Sequence, residues 1–342
     1  MANTARCGGH ITLLFTVDKA ARLKRGQGST GAGFSIHHGV EISGQLHLKQ
    51  RNIPQRSVGI TPDVRSETQP PQASIVHIRD MHGRTVEDTG LYLDYIEACR
   101  HATLLREDEW LELEVVLECP TSQGFGMSAA GLLALGTFIQ RSTNRGTTVQ
   151  YQKIAHRIER EHGAGLGDVL GMSVGGIELR TSPGAPGWPG QARGFHAEGP
   201  ILLVWDDVEQ RHTSTYIDHP DWQRTITAAG QQGVEALASG PWDPERWSDL
   251  LEQSRHFATA SGMLSETKRL RVYNTVLNEI GLAGLQSNYA VRLCMLGNSV
   301  AVVPRKLEKP CETEHLDALA KQLDTHGISA FITRFGPLTH GA

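Results

Sequence analysis

Ser128, Glu159 and Asp168 are the residues of this chain whose types and spacing could do chemistry together. Glu159 lies nine residues before Asp168, and the glycine-dense segment Gly163-Ala-Gly-Leu-Gly-Asp-Val-Leu-Gly171 can fold the chain back between them. One carboxylate could then hold a magnesium ion while the other acts on a substrate hydroxyl. Ser128 offers a hydroxyl to the metal or to a phosphate. Phosphoryl transfer needs such a set: backbone N–H groups around the phosphates, an oxygen-ligated Mg²⁺, and a carboxylate facing the attacking hydroxyl. Singly, each residue also fits a plainer role. Ser128 can cap a helix, Glu159 sits in the charged run 157–161, and Asp168 between glycines can be a turn residue. His156, on the helical face of Glu159, can be a hydrogen-bonded semi-buried histidine, and Arg180 a strand-end arginine.

The elements that must position these groups are legible. Leu111-Glu-Leu-Glu-Val-Val-Leu117 alternates and then runs apolar, as a strand does. Pro120-Thr-Ser-Gln-Gly-Phe-Gly-Met-Ser-Ala-Ala-Gly131 is a glycine-rich turn that enters an apolar helix of small residues. Strand, glycine loop and helix N-terminus together present N–H groups and a positive dipole end, an anion site that suits phosphate. A Walker loop would need Lys-Ser or Lys-Thr after Gly126, and the dinucleotide fingerprint would need glycine at Ala129; the chain has neither. Thr148 to His162 has helical spacing, and Gly175-Gly-Ile-Glu-Leu-Arg180 reads as a strand.

Strands are also expected at 11–16, 33–48 and 75–78, with a glycine-rich turn, Gly26 to Gly33, between the first two. Residues 51–72 read as a long surface insertion rich in proline. Ser182-Pro-Gly-Ala-Pro-Gly-Trp-Pro-Gly190 is the best linker candidate. Beyond it come a strand at 201–205, three helical segments between 222 and 279, and two strands around a Gly297-Asn298 turn. A helix at 314–326 and a strand at 328–333 follow. The economical account is two α/β-type domains meeting near residue 195, 1–195 and 196–342.

Bulk properties exclude other classes. The 342 residues carry 33 basic and 37 acidic side chains, a net of −4, with no basic excess for nucleic acid or a membrane surface. No apolar run approaches the ~20 residues of a membrane span, and the run Ile11 to Phe15 is too short for a signal-peptide core. Five scattered cysteines suit free thiols in a reducing cytoplasm. Sixteen histidines form no pattern of a dedicated zinc site.

The segment Pro120 to Ala130 resembles the ATP-binding motif of the GHMP superfamily of galactokinase, homoserine kinase, mevalonate kinase and phosphomevalonate kinase. Phe125 stands where leucine is usual and Met127 where the first serine is usual, while Ser128 is kept. Gly9-His-Ile-Thr12, Gly28-Ser-Thr-Gly-Ala-Gly-Phe34, Gly124-Phe-Gly-Met-Ser128, Ala155-His-Arg-Ile-Glu159, Gly165-Leu-Gly-Asp168, Pro183-Gly-Ala-Pro-Gly187 and Met295-Leu-Gly-Asn298 are similar to motifs of the archaeal pantoate kinase family.

The resemblance implies ATP-dependent phosphorylation of the 4-hydroxyl of (R)-pantoate in coenzyme A biosynthesis. Pro120, Gly124, Phe125, Gly126, Met127, Ser128 and Ala129 would form the ATP loop, Ser128 and Glu159 would serve Mg²⁺, and Asp168 would be the catalytic carboxylate. Ser29, His156, Arg180, Thr213 and His10 would line the pantoate site, with Arg180 suited to a carboxylate. The implied fold is α+β, with an N-terminal domain containing a left-handed βαβ unit and a ferredoxin-like C-terminal domain. The implied state is a cytoplasmic homodimer. Thr30 stands where the family usually has arginine, and Val169 where the mevalonate-kinase branch has asparagine. Two alternatives stay open: another small alcohol such as mevalonate or homoserine as acceptor, or an ATP-binding regulator without catalysis.

Overall fold

A computed structural model describes residues 3–48, 73–206 and 219–339. Thr213 and the 51–72 insertion lie outside the described residues.

The first sheet grows from one long antiparallel pair, β1 (Asn3–Phe15) and β2 (Gly31–Leu48). The far half of β2 pairs with β5 (Glu109–Leu117), and its first residues pair with β6 (Ile177–Ser182). Next to β5, in parallel, runs β3 (Ile75–Arg79), edged by the short β4 (Thr85–Val86). Helix α1 (Gly90–His101) lies in the chain between β3 and β5, which makes this a βαβ unit. β7 (Gln191–Phe195) closes the other edge, giving the order β4-β3-β5-β2-β6-β7 with β1 on β2.

Three helices carry the chemistry-bearing residues: α2 (Met127–Thr143), α3 (Thr148–Glu161) and the short α4 (Asp168–Val174). Small residues in α2 have a packing reason. A Cβ on Gly131 or Gly136 would collide with the hydroxyl of Tyr92 or Tyr95, so the glycines let α1 approach closely. A reciprocal capping box between Thr147 and Gln150 fixes the start of α3. The charged run of α3 is split by the fold: Arg157 and Glu161 are exposed, whereas His156, Glu159 and Arg160 are buried.

The second sheet holds β8 (Pro200–Trp205), β9 (Tyr289–Cys294), β10 (Ser299–Pro304) and β11 (Ser329–Arg334) in the antiparallel order β11-β8-β10-β9. Helices α5 (Pro220–Ala238), α6 (Trp247–Ala260) and α7 (Thr267–Leu282) separate β8 from β9, and α8 (Thr313–Asp324) separates β10 from β11. This β-α-β-β-α-β order is the ferredoxin-like arrangement. The Gly297-Asn298 turn joins β9 to β10 as expected, with Ser299 opposite Cys294.

One hydrophobic core runs through both sheets. Phe34 of β2, Trp247 of α6 and Phe335 meet edge to face at 5.3–6.2 Å, a favourable geometry for ring quadrupoles. After β11 the chain returns to the first sheet, where Phe335 bridges to Ile36 and Leu338 to Gly175. The proposed linker at 182–190 is corrected by the topology. It connects β6 to β7, neighbours in the first sheet, and the Ala185 N–H donates to the Arg25 carbonyl at 2.8 Å. Its prolines and glycines build a turn against the β1–β2 connection.

Candidate active site

The glycine loop between β5 and α2 is shaped by backbone. Past Pro120, Gly124 and Gly126 adopt φ of +77° and +69°, left-handed values that side chains disfavour, and so turn the chain from β5 into α2. A Cβ on Gly124 would also lie 2.7 Å from the Met295 carbonyl oxygen. Among the described residues no side chain caps α2, so its first-turn N–H groups, from Met127 through Ala129, point out with the positive dipole end. Phe125 and Met127 themselves are buried core anchors. Phe125 meets Trp205 edge-on at 5.9 Å, and its carbonyl accepts the His10 N–H at 3.0 Å. The β9–β10 turn braces the loop from the other sheet, where Ser299 Oγ donates to the Gln123 carbonyl and the Met295 N–H to the Thr12 carbonyl.

Glu159 sits below the mouth of this loop. Ser128 Oγ donates to Glu159 Oε1 at 2.6 Å. Gly165 passes so close that a Cβ there would lie 2.6 Å from Glu159 Oε2. Arg160 Nη1 donates to the Gly165 carbonyl at 2.6 Å and so ties down the same turn. Burial, and then the charge of Asp168, push the Glu159 carboxyl up to about 8.

Asp168 opens α4 and receives a different set of neighbours. Its Oδ1 accepts from His10 Nδ1 at 2.9 Å and from Thr12 Oγ1 at 3.3 Å. Burial alone would raise this carboxyl, but the His10 contact, the Arg180 charge and the Thr12 hydroxyl hold it below the ordinary carboxylate range. Even so, 24% of its side chain stays open to solvent. His10 and Thr12 lie on β1 where the β1–β2 ladder shifts register twice, between Gly8 and His10 and between Thr12 and Leu14. Bulges of this kind re-aim side chains next to active sites.

His10 is 1% exposed. Its other ring nitrogen, Nε2, lies 3.0 Å from Glu178 Oε1. Burial would depress the imidazole, yet the two carboxylates together raise its pKa above the ordinary value. With both nitrogens held by carboxylates, His10 stands behind Asp168.

Arg180 of β6 is completely buried, and none of its three guanidinium nitrogens makes a hydrogen bond among the described residues. Its nearest carboxylate oxygen is Glu178 Oε2, 3.7 Å from Nε. Arg180 and Ser29 converge on Gly167, the residue before Asp168: a Cβ there would strike Ser29 Oγ and lie 2.7 Å from Arg180 Nη1. His156 is buried as well, and its Nε2 lies 2.9 Å from the Gln27 carbonyl. Burial lowers its pKa to about 4, so it is a neutral tie holding the turn that leads to Ser29. The structure therefore gathers Ser128, Glu159, Asp168, Arg180, Ser29 and His10 around one glycine turn. Glu178 and Thr12 were not singled out from sequence. Glu178 had a signal, an acid two residues before Arg180 on a strand and so on the same face.

Hard oxygen donors suit Mg²⁺, and Ser128 with Glu159 supplies two. Among the described residues no cluster of three or more His, Cys, Asp or Glu could hold a metal. Mg²⁺ does not require one, because it keeps waters and takes ligands from substrate phosphates. No helix among the described residues is long and apolar enough to cross a membrane.

Solved structures with this architecture include kinases and mevalonate diphosphate decarboxylases. One described as a phosphotransferase related to the coenzyme A biosynthesis pathway superposes with a TM-score of 0.72 at 21% identity, covering 100% of this chain and 97% of that one. Homoserine kinase from Cytophaga hutchinsonii gives 0.63 at 14% identity over 99% and 96%. Mevalonate-3-kinase from Thermoplasma acidophilum gives 0.59 at 12% over 98% and 96%. The fold is that of the GHMP kinases. In sequence this GHMP-fold chain is similar to pantoate kinases of archaea. It is 35% identical to that of Thermococcus kodakarensis over 164 residues, 47% of this chain and 52% of the relative. It is 24% identical to that of Methanocaldococcus jannaschii over 298 residues, 87% and 91%. The chain thus spans about half the length of the Thermococcus relative and nearly all of the Methanocaldococcus one. No protein-family model matches the chain.

Proposed function

We propose that the protein is a pantoate kinase, transferring the γ-phosphoryl group of ATP to the 4-hydroxyl of (R)-pantoate to give 4-phosphopantoate and ADP. The observation that carries this reading is Arg180, a fully buried guanidinium without a hydrogen-bond partner among the described residues, one glycine away from the exposed edge of Asp168. A buried cation with free N–H groups is a receptor for an anion, and its planar fork matches a carboxylate. A hydroxy acid of pantoate's length offers a carboxylate to Arg180 and a primary hydroxyl to Asp168. The similarity to archaeal pantoate kinases supports the same choice.

The residues then divide the work. Arg180 would hold the acceptor's carboxylate with two parallel hydrogen bonds, and Ser29 one of its hydroxyls; Thr213 keeps the role the resemblance gives it. Asp168 would accept a hydrogen bond from the 4-hydroxyl and aim its oxygen at the γ-phosphorus. As the new P–O bond forms, the bond to the β-phosphate oxygen breaks and its electron pair leaves on ADP. The hydroxyl proton passes to the Asp168 carboxylate and from its open edge to water. The α2 N-terminus would carry the nucleotide phosphates. Mg²⁺, held by Ser128 and Glu159, would neutralise charge on those phosphates. The same reading divides the chain into an ATP-binding part, 1–195, and a second part, 196–342, and carries the cytoplasmic homodimer that the resemblance implies.

The test is ADP release with Mg-ATP and one acceptor at a time: (R)-pantoate, mevalonate, homoserine, and no acceptor. Turnover with pantoate well above the others is expected. Turnover on mevalonate or homoserine without pantoate turnover would move the substrate, and ATP binding without transfer to any acceptor would remove the kinase reading.

A further inference from the structure

Behind Asp168 the structure carries a row of alternating charges that phosphoryl transfer does not itself require. From the site inward they are Asp168 of α4, His10 of β1 and Glu178 of β6, with Arg180 of β6 3.7 Å from Glu178 and reaching back to the Gly167 turn. The inner members are sealed, with His10 and Glu178 side chains both 0% exposed. Gly171 keeps the space open, since a Cβ there would lie 2.7 Å from His10 Nε2. Buried charges of this kind are costly unless each is matched, so a matched row ending on a reactive carboxylate points to a use there.

We infer that His10 and Glu178 are a positioning pair for Asp168: Glu178 fixes the His10 imidazole, and His10 in turn fixes the Asp168 carboxylate, aimed outward and charged. The inference rests on the reading of Asp168 as the carboxylate that faces the acceptor. The hydrogen-bond chain supplies the mechanism. A histidine donating from both nitrogens is a cation, and a cation 2.9 Å from Asp168 Oδ1 leaves Oδ2 as the oxygen for the incoming hydroxyl. A carboxylate held in this way is a weak base and a well-aimed acceptor. The arrangement therefore favours orientation of the hydroxyl, with the proton arriving late, as a loose transition state requires. The charged and polar groups facing His10 are Asp168, Glu178 and Thr12, with Arg180 next to Glu178 and Glu159 across the glycine turn.

The experiment combines two variants with one spectrum. Glu178→Gln keeps shape and removes charge, and His10→Asn keeps a donor near Nδ1 and removes charge. Each is expected to lower kcat at least tenfold with the KM for ATP unchanged. Each should also move the acid limb of the kcat–pH profile upward, because Asp168 loses the cation that keeps it ionised. In the wild-type protein, ¹⁵N-histidine NMR should show one histidine, absent from His10→Asn, doubly protonated at pH 7. A neutral His10 at that pH overturns the inference, and so does a wild-type spectrum with no doubly protonated histidine at pH 7, even if neither variant folds. So does a loss of kcat in folded variants with the acid limb unmoved, which is what a merely structural role gives. Asp168→Asn separates the two failures. If that variant stays active, the reading of Asp168 falls; if it is inactive while Glu178→Gln behaves as wild type, only the positioning pair falls.

Discussion

Two corners of the candidate site, nine residues apart in the chain, each hold a carboxylate and obtain opposite results: Glu159 is sealed, whereas 24% of the Asp168 side chain stays open. In the corner of Glu159 the near partners are one hydroxyl, from Ser128, and a more distant Arg160, so burial and the charge of Asp168 prevail and the carboxyl is raised. In the corner of Asp168, His10 and Thr12 donate directly and Arg180 adds its charge, so burial is outweighed and the carboxyl is lowered. Pairs of titratable groups pushed apart in this way mark distinct roles. On the proposed reading, the low one is charged and ready for an acceptor hydroxyl, and the high one is short of the cation that Mg²⁺ would supply.

The largest effect that can break this comparison is at Asp168. Asp168→Asn should lower kcat by about 10³-fold while the affinity for Mg-ATP, measured by calorimetry, stays within a factor of a few. Lost nucleotide binding would move Asp168 into the metal corner. Next comes Arg180→Lys, which keeps the charge beside Glu178 but loses the fork. The KM for pantoate should rise about 30-fold, equivalent to roughly 2 kcal/mol of charge-assisted hydrogen bonding, with the KM for ATP unchanged. Glu159→Gln should act on the other corner, raising the Mg²⁺ concentration for half-maximal rate about tenfold with little change in the KM for pantoate.

The smallest effect is the most discriminating in sign. Glu159 is raised to about 8 from an ordinary 4.5. Between those values the folded protein holds a proton that the unfolded chain lacks, so this group's contribution weakens the fold as pH rises through the window. Without metal, the wild-type Tm should fall from pH 5 to 8 more steeply than that of Glu159→Gln. Binding of Mg-nucleotide at pH 7 should release close to one proton, read by calorimetry in buffers of different ionisation enthalpy. Asp168, lowered in the fold, has the opposite sign: its stabilisation is present above the ordinary carboxylate range and lost as pH falls below it.

Much of this was legible in the sequence because its signals are local. Period and glycine punctuation located the β5–loop–α2 unit, α3 and the β9–β10 turn. Glu159 and Asp168 stood out because a short glycine turn lies between them, and Ser128 because it follows the glycine loop at the start of α2. The pairing of His10 with Asp168 joins residues 158 apart, next to the register shifts of the β1–β2 ladder, and no local pattern encodes such a distance. The 182–190 turn misled because proline and glycine report irregular backbone without saying whether it joins two sheets or two strands of one. His156 shares the helical face of Glu159 as its spacing implied, and its ring contact with the Gln27 carbonyl is set by tertiary packing that no local pattern encodes.

Product analysis by ³¹P NMR tests the central claim most directly. With Mg-ATP and (R)-pantoate, the account predicts ADP together with one new phosphomonoester signal split into a triplet by the two C4 protons. A doublet, from phosphorylation at the single-proton C2 carbon, or inorganic phosphate as the sole new signal beside ADP, would contradict it.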